Sequence, residues 1–295
     1  MNRSRAGVLF EFCVVSLILY MIIASMMTFG RTMYSSQAAQ SAADLAAREL
    51  SRTALPATWT FEQARDEPTS EFKLRVYNDE YLVIDVTSWY TAPPPLGSLY
   101  DYLDSLMPPV PPVNRALYPV MFLQELGGQV LFRYPGALIE RPALDPVVAY
   151  SSGYKVEIPT VEARDPSTGV ETIRWVQVIE EIGTDPFPVN SPEGGLVALR
   201  LHLPIQAPEM GGFRETPGGT LKGTYGYPNI ADDASVTALN SPSTGTPVDP
   251  VSPGLPGPYA GVYGLGRQHN PLAGTVRPYR KLITSQAIYR REVFQ

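Results

Sequence analysis

Residues 7–30 read Gly7-Val8-Leu9-Phe10-Glu11-Phe12-Cys13-Val14-Val15-Ser16-Leu17-Ile18-Leu19-Tyr20-Met21-Ile22-Ile23-Ala24-Ser25-Met26-Met27-Thr28-Phe29-Gly30. Glu11 is the only formal charge between Arg5 and Arg31, so a carboxylate sits near the start of an otherwise apolar run. From Val8 to Phe29 is 22 residues. At about 1.5 Å each they make roughly 33 Å of helix, the thickness of a bilayer's hydrocarbon core. Signal-peptide apolar cores are shorter, about 7–15 residues, and end at a small-x-small cleavage site. Ala24-Ser25-Met26 is a poor version of one. A core helix of a soluble protein is the competing reading, but length and composition favour a membrane span. A lone carboxylate near hydrocarbon is costly and therefore marks a functional position.

The flanks set an expected orientation. Arg3, Arg5 and the terminal amine precede the run, and Arg31 is the only charge close behind it. The excess of positive charge belongs on the cytoplasmic side, which places the rest of the chain outside. The helix is expected to continue past the lipid. Ala39, Ala42, Ala43, Ala46, Ala47 and Leu50 recur at the spacing of one helical face. Asp44 and Arg48 are spaced to support the opposite side, and Pro56 is the first strong breaker. Val8 to Leu50 as one helix would be about 65 Å long. Alanine permits close backbone approach, which suits a neighbouring helix and equally a helix lying on its own domain.

Three strings, Gly7-Val8-Leu9-Phe10-Glu11-Phe12, Phe29-Gly30-Arg31 and Ala42-Ala43-Asp44-Leu45-Ala46-Ala47-Arg48-Glu49, together resemble the N-terminus of TadE-like proteins. These are pseudopilins of bacterial tight-adherence (Flp-type) pilus systems. The resemblance covers about the first fifty residues. It implies a single-pass protein of the bacterial inner membrane, with its N-terminus cytoplasmic and its bulk periplasmic. Its partners would be other pilins or pseudopilins, the pilus assembly platform, membrane lipid and a prepilin peptidase acting around Ala6, Gly7 and Val8. Gly30, Ala39, Ala42, Ala43, Ala46 and Ala47 would be helix-packing positions.

The resemblance also implies a role for Glu11, pairing with the new α-amine of a neighbouring subunit. A buried pair of this kind fixes register, because removing one partner costs about 3–5 kcal/mol. Cleavage after Ala6 makes Glu11 the fifth mature residue, the family's usual position, whereas cleavage after Gly7 makes it the fourth. The family string is one residue longer between glycine and glutamate. Ser16 and Leu17 stand where a proline is common, and Thr28 where an acid often precedes Phe-Gly-Arg. The alternative is an uncleaved anchor whose Glu11 reaches toward the cytoplasmic headgroups.

The chain of 295 residues carries a net charge of −6, 30 Pro, 24 Gly and a single cysteine, Cys13, inside the apolar run. No intrachain disulfide and no cysteine-based metal site can form. So much proline and glycine argues against a compact helical bundle. The expected fold class is α+β, a long N-terminal transmembrane and stalk helix followed by a mainly-β extracytoplasmic domain. The expected division is 1–6 leader, 7–52 membrane and stalk helix, 53–207 domain, 208–270 Gly/Pro-rich loop and 271–295 C-terminal strand. Within the domain, Phe72, Leu74 and Val76 alternate, Asn78-Asp79-Glu80 turns, and Tyr81 to Trp89 follows as the second strand of a hairpin. Leu96 to Met107 and Asn114 to Leu126 are expected helices, with Pro108 to Pro112 an extended spacer between them. Gln129 to Tyr134, Tyr154 to Arg164, Val170 to Ile179, Leu196 to Pro204 and Lys281 to Phe294 are expected strands.

No motif for catalysis stands out. His202 and His269 are the only histidines, and neither has a ligand-type residue at helical spacing. His202 is expected as a surface or satisfied strand residue. Asp85, Asp101, Asp104 and the pair Glu180-Glu181 are candidate glycosidase acids with nothing to set them above solvated carboxylates. No cofactor, metal or nucleic acid is expected. From Arg267 on, six basic side chains stand against the single acid Glu292, which suits a solvated or ion-paired final strand. Two other functions share this composition: an envelope-tethered, adhesin-like β-domain and a tethered hydrolase.

Overall fold

No proline occurs between Arg3 and Arg52, and the two glycines in that stretch, Gly7 and Gly30, have open space around them. In the computed structural model of the chain these residues form one α-helix, α1 (Arg3–Arg52), of 50 residues. Its length is about 75 Å. The structure describes residues 3–56, 59–91, 98–106, 110–126, 128–140, 152–164, 171–182, 195–206, 268–270, 274–276 and 279–291. At the C-terminal end of α1, the amide and the hydroxyl of Thr53 both donate to the Glu49 carbonyl, at 3.0 and 2.7 Å. They satisfy a carbonyl that the helix leaves free, and Pro56 follows.

Where a β-hairpin was expected over residues 72–89, short helices form instead. α2 (Phe61–Asp66) opens on a capping box between Thr60 and Gln63. α3 (Glu71–Arg75) buries Phe72 and, just past its end, Val76, while Leu74 between them is 58% exposed. The apolar pair is therefore read at helical spacing, and an ion pair of 2.8 Å between Glu71 and Arg75 supports the outer side. Asn78 caps a 3₁₀ turn, Asp79–Leu82, by accepting from the Glu80 amide at 2.9 Å. Strand β1 is only Val83–Asp85, and α4 (Thr87–Thr91) follows, started by Asp85 accepting from the Thr87 amide.

α5 (Leu99–Leu106) lies inside the expected 96–107 helix. Pro111 is extended as expected, but Pro112 is the first residue of α6 (Pro112–Leu117), where its missing N–H costs nothing. The expected helix over 114–126 stops early. Pro119 sits in a 3₁₀ turn, Tyr118–Val120, and the chain turns into β2 (Phe122–Leu126).

Asn114 on α6 is wholly buried and uses both ends of its amide. Its Oδ1 accepts from the Asn78 backbone N–H at 2.9 Å, and its Nδ2 donates to the Asn78 carbonyl at 2.7 Å. Asn114→Ala is expected to cost about 1–3 kcal/mol, because two backbone groups at the edge of the core lose their partners. Denaturant unfolding in detergent measures this, and a loss below about 0.5 kcal/mol would mean that water replaces the amide.

The strands form small antiparallel sheets. β3 (Gln129–Arg133) is central in the order β1-β3-β2, with Gly128 at φ 90° in the β2–β3 turn. β4 (Ala137–Glu140), β5 (Tyr154–Arg164) and β6 (Glu171–Val176) form a second sheet in that order. Gly136 precedes it because any Cβ there would collide with Val156 Cγ1. A third sheet has the order β11-β8-β7, with β8 (Leu196–Gln206) between β11 (Tyr279–Arg290) and β7 (Ile179–Glu181). The expected closing strand thus returns to the sheet as β11, paired with β8 from Arg290↔Leu196 to Tyr279↔Gln206.

β9 (Gln268–Asn270) pairs with β10 (Gly274–Val276), so His269 lies on a strand and the expected 208–270 loop ends earlier. The rest of that loop, 208–267, lies outside the described residues, as does Asp165-Pro166-Ser167-Thr168-Gly169, a turn signal between the expected strands 154–164 and 170–179. One core runs from Ala39 on α1 through the sheets to Ala287 on β11. That core draws together Ala39 to Leu50 of α1, strands of the sheets and Leu282 and Ala287 of β11.

Candidate functional site

Two halves of α1 meet opposite environments. Between Phe10 and Phe29 every side chain except the buried Ala24 and the part-buried Thr28 is exposed: Phe10 is 70% exposed, Val15 63%, Leu17 60% and Met26 70%. A helix apolar all round has no water-facing side and belongs in a larger apolar medium. By length and composition this helix qualifies to cross a membrane. Two threonines at its outer end fit that setting. Thr28 Oγ1 donates to the Ala24 carbonyl at 2.8 Å, and Thr32 Oγ1 to the Thr28 carbonyl at 2.9 Å. Polar groups satisfied within the helix need no water.

Glu11 is exposed within this bare half. The positions three and four residues away on either side are Val8, Gly7, Val14 and Val15, so its helical neighbours supply no cation. Gly7 and Gly30 are also exposed, with no other part of the chain within 4 Å of where a Cβ would stand. Ala6 and Val8 are helical. Cys13 is an exposed free thiol.

The second half is a wall of the core. Ala39, Ala42, Ala46 and Ala47 are wholly buried, Ala43 is 1% exposed, and Leu50 closes the row. α1 packs there on β8, β11 and α6. On β8, Val197, Leu199, Leu201 and Leu203 point to one face, as alternation requires, and all are buried. Ser285 and Ala287 of β11 are their small cross-strand neighbours. Small side chains on both elements let the helix backbone come close to the sheet. Gln40 Nε2 donates to the Gln286 carbonyl at 3.1 Å, tying the helix to β11. The alanine face is therefore occupied by the chain's own domain. On the outer flank Asp44 accepts from Gln40 at 3.2 Å, and Arg48 pairs with Glu49 at 3.1 Å rather than with Asp44 as its spacing suggests. An open groove of about 520 Å³ runs along Gln37, Gln40, Ser41, Asp44, Leu45 and Arg48 of α1 and Tyr289 of β11.

A polar cluster in the domain escaped sequence reasoning. His202, expected as a surface or satisfied strand residue, is wholly buried on β8. Its Nε2 lies 2.9 Å from Glu180 Oε1 on β7. Glu180 also meets Arg174 of β6 at 3.1 Å and Arg200 of β8 at 3.6 Å. Burial raises the Glu180 pKa, but the hydrogen bond and charge of His202, then Arg174 and Arg200, outweigh it and hold the carboxyl below its ordinary range. Tyr134 Oη donates to the His202 carbonyl at 2.9 Å, and burial keeps that phenol firmly protonated. Strand pairing across a gap of fourteen residues brings Glu180 beside Arg200, and no local spacing announces that.

Of the other candidate acids, Asp85 starts α4, Asp101 bonds Ser98 and Asp104 pairs with Arg115 at 2.7 Å. Glu181 neighbours Leu199 across the β7–β8 ladder. In the basic tail, Arg291 donates through Nη2 to the Leu55 carbonyl at 3.3 Å, fastening the end of β11 beside the exit of α1. No group of three or more metal-type side chains comes together among the described residues. No family model matches the chain, and no curated protein or solved structure is significantly similar to it.

Proposed function

We propose that this chain is a membrane-anchored, TadE-like pseudopilin that serves pilus assembly or secretion by helix packing and protein contacts, without chemistry of its own. The observation that carries this is the division of α1 into a bare apolar half bearing one carboxylate and a half that completes the domain core. In this reading the first half lies in the bacterial inner membrane, with its N-terminus cytoplasmic and the β-rich domain periplasmic. Glu11 is there to pair with the α-amine of a neighbouring subunit. Since Ala39 to Ala47 are taken by the domain, contacts between subunits fall to the bare half and to the outer flank of α1.

The mature N-terminus is the direct test. Processing by a prepilin peptidase leaves Gly7 or Val8 first, and mass spectrometry of the membrane-extracted protein reads it. An intact Met1 would favour a plain anchor.

An adhesin-like domain on a tether is the second reading, and it expects the fragment from Thr53 onward to bind its target unaided. A mere tether has no need to fill the core, yet Ala39 to Leu50 do so. A tethered hydrolase expects two carboxylates facing one cleft. The groove along α1 has one, Asp44, alongside Arg48.

A further inference from the structure

Glu180 is the meeting point of two sheets. Its own strand, β7, is only Ile179–Glu181 and belongs to the β11-β8-β7 sheet. Arg174 belongs to β6 in the β4-β5-β6 sheet, and its Nη2 reaches Glu180 Oε2 at 3.1 Å. Arg200 and His202 reach Oε1 from β8 at 3.6 and 2.9 Å. One carboxylate, 15% exposed, thus holds three cationic or donor groups from two sheets.

The arrangement is strained in one respect. His202 Nε2 carries a hydrogen toward the ionised carboxylate, while Nδ1 of the same buried ring has no partner among the described residues. Arg200 Nε is likewise buried and unpartnered. Both side chains meet Glu180 through their other nitrogens, Nε2 of His202 and Nη1 of Arg200, and unpaired buried polar groups are costly.

We propose that Glu180 is an acid-labile latch: protonating it releases Arg174 and His202 together and loosens β7 and β6 from β8. The surrounding groups act in the same direction. Among the described residues, the charged side chains that meet Glu180 are Arg174 from β6 and Arg200 and His202 from β8. Glu181 alternates to the other side of β7, and β11 contributes the uncharged Thr284 opposite His202. Among the described residues, losing the Glu180 anion leaves two guanidinium groups and an imidazole facing one another in a half-dry site. In the next corner, Gln177 between β6 and β7 donates to the buried Glu157 at 2.9 Å, so a second carboxylate holds the same junction and is paired with Lys155 at 3.2 Å. The backbone ties that remain are few: His202 N–H to the Val178 carbonyl and Ile182 N–H to the Ala198 carbonyl, both 2.9 Å, beside the short β7 ladder.

The sign follows from the lowered carboxyl. Its stabilising contribution is present above the ordinary carboxylate range and is lost as pH falls through the folded-state value. Hydrogen exchange on the full chain in detergent, expressed as protection factors so that intrinsic rates cancel, tests this between about pH 7 and about pH 3. Protection of β6, β7 and the 178–182 amides is expected to fall about tenfold further than that of β2 and β3. Glu180→Gln is expected to show the loosened pattern already at neutral pH, with little further change on acidification.

Uniform loss across all strands, or a full acid response retained by Glu180→Gln, overturns the latch. If Glu180→Gln does not fold, Arg174→Gln removes only the arm between sheets. Its β6 protection at neutral pH should then match the acid pattern of the native chain, and native-like protection of β6 overturns the proposal.

Discussion

Replacing Glu11 with alanine is expected to abolish fibre assembly while leaving the protein in the membrane fraction. The substitution removes the one charge in the bare half of α1, so insertion becomes easier, not harder. In the proposed pseudopilin reading, assembly would lose the partner of an amine held away from water, which costs about 3–5 kcal/mol. That corresponds to a fall in incorporation on the order of a hundredfold or more. Glu11→Gln should fail almost as badly, because an amide keeps the size but not the charge. The measurement pairs membrane fractionation with a count of surface fibres in cells producing each variant. Normal piliation by the alanine variant would remove the reason for a carboxylate at this position, and with it the pseudopilin reading.

Ala46→Phe is expected to pry the domain off its own helix. Ala46 is wholly buried in the face that packs on β8 and β11, where the small residues Ser285 and Ala287 also lie. A ring at that position has no space to enter and forces helix and sheet apart. Overpacking of this kind costs about 1–3 kcal/mol, and the change from methyl to ring belongs at the upper end. For a domain of this size that lowers Tm by about 6–12 °C. Met26→Phe, on the exposed half, should leave the domain's transition within about 0.5 kcal/mol. Thermal unfolding in detergent, followed by near-ultraviolet circular dichroism, compares the two. Equal melting would show that the alanine face does not carry the domain.

The long helix was legible because it rests on local properties: no proline from Arg3 to Arg52, apolar residues all round to Phe29, and alanines at one spacing thereafter. Strands with sustained alternation or a turn between them were legible for the same reason, as with β5, β8 and β11. The 72–89 stretch failed because alternation over three apolar residues fits two periods at once. Phe72 and Val76 are buried and Leu74 is not, so the helical spacing won only when the core supplied Phe61 and Tyr77 as neighbours for Phe72.

The sequence by itself determined where a bilayer-length apolar helix lies, which residue on it is charged, and that no cysteine chemistry holds the remainder. Those are properties of composition and period, and each is complete within a few turns of chain. Only the tertiary structure decided which partner takes the alanine face, that β11 closes onto β8, and that His202 is buried against Glu180. Each depends on segments far apart in sequence coming into contact, since β8 meets β11 across more than seventy residues. Whether a buried face or a buried charge is satisfied is a fact about its neighbours in space, and the order of residues along the chain does not contain it.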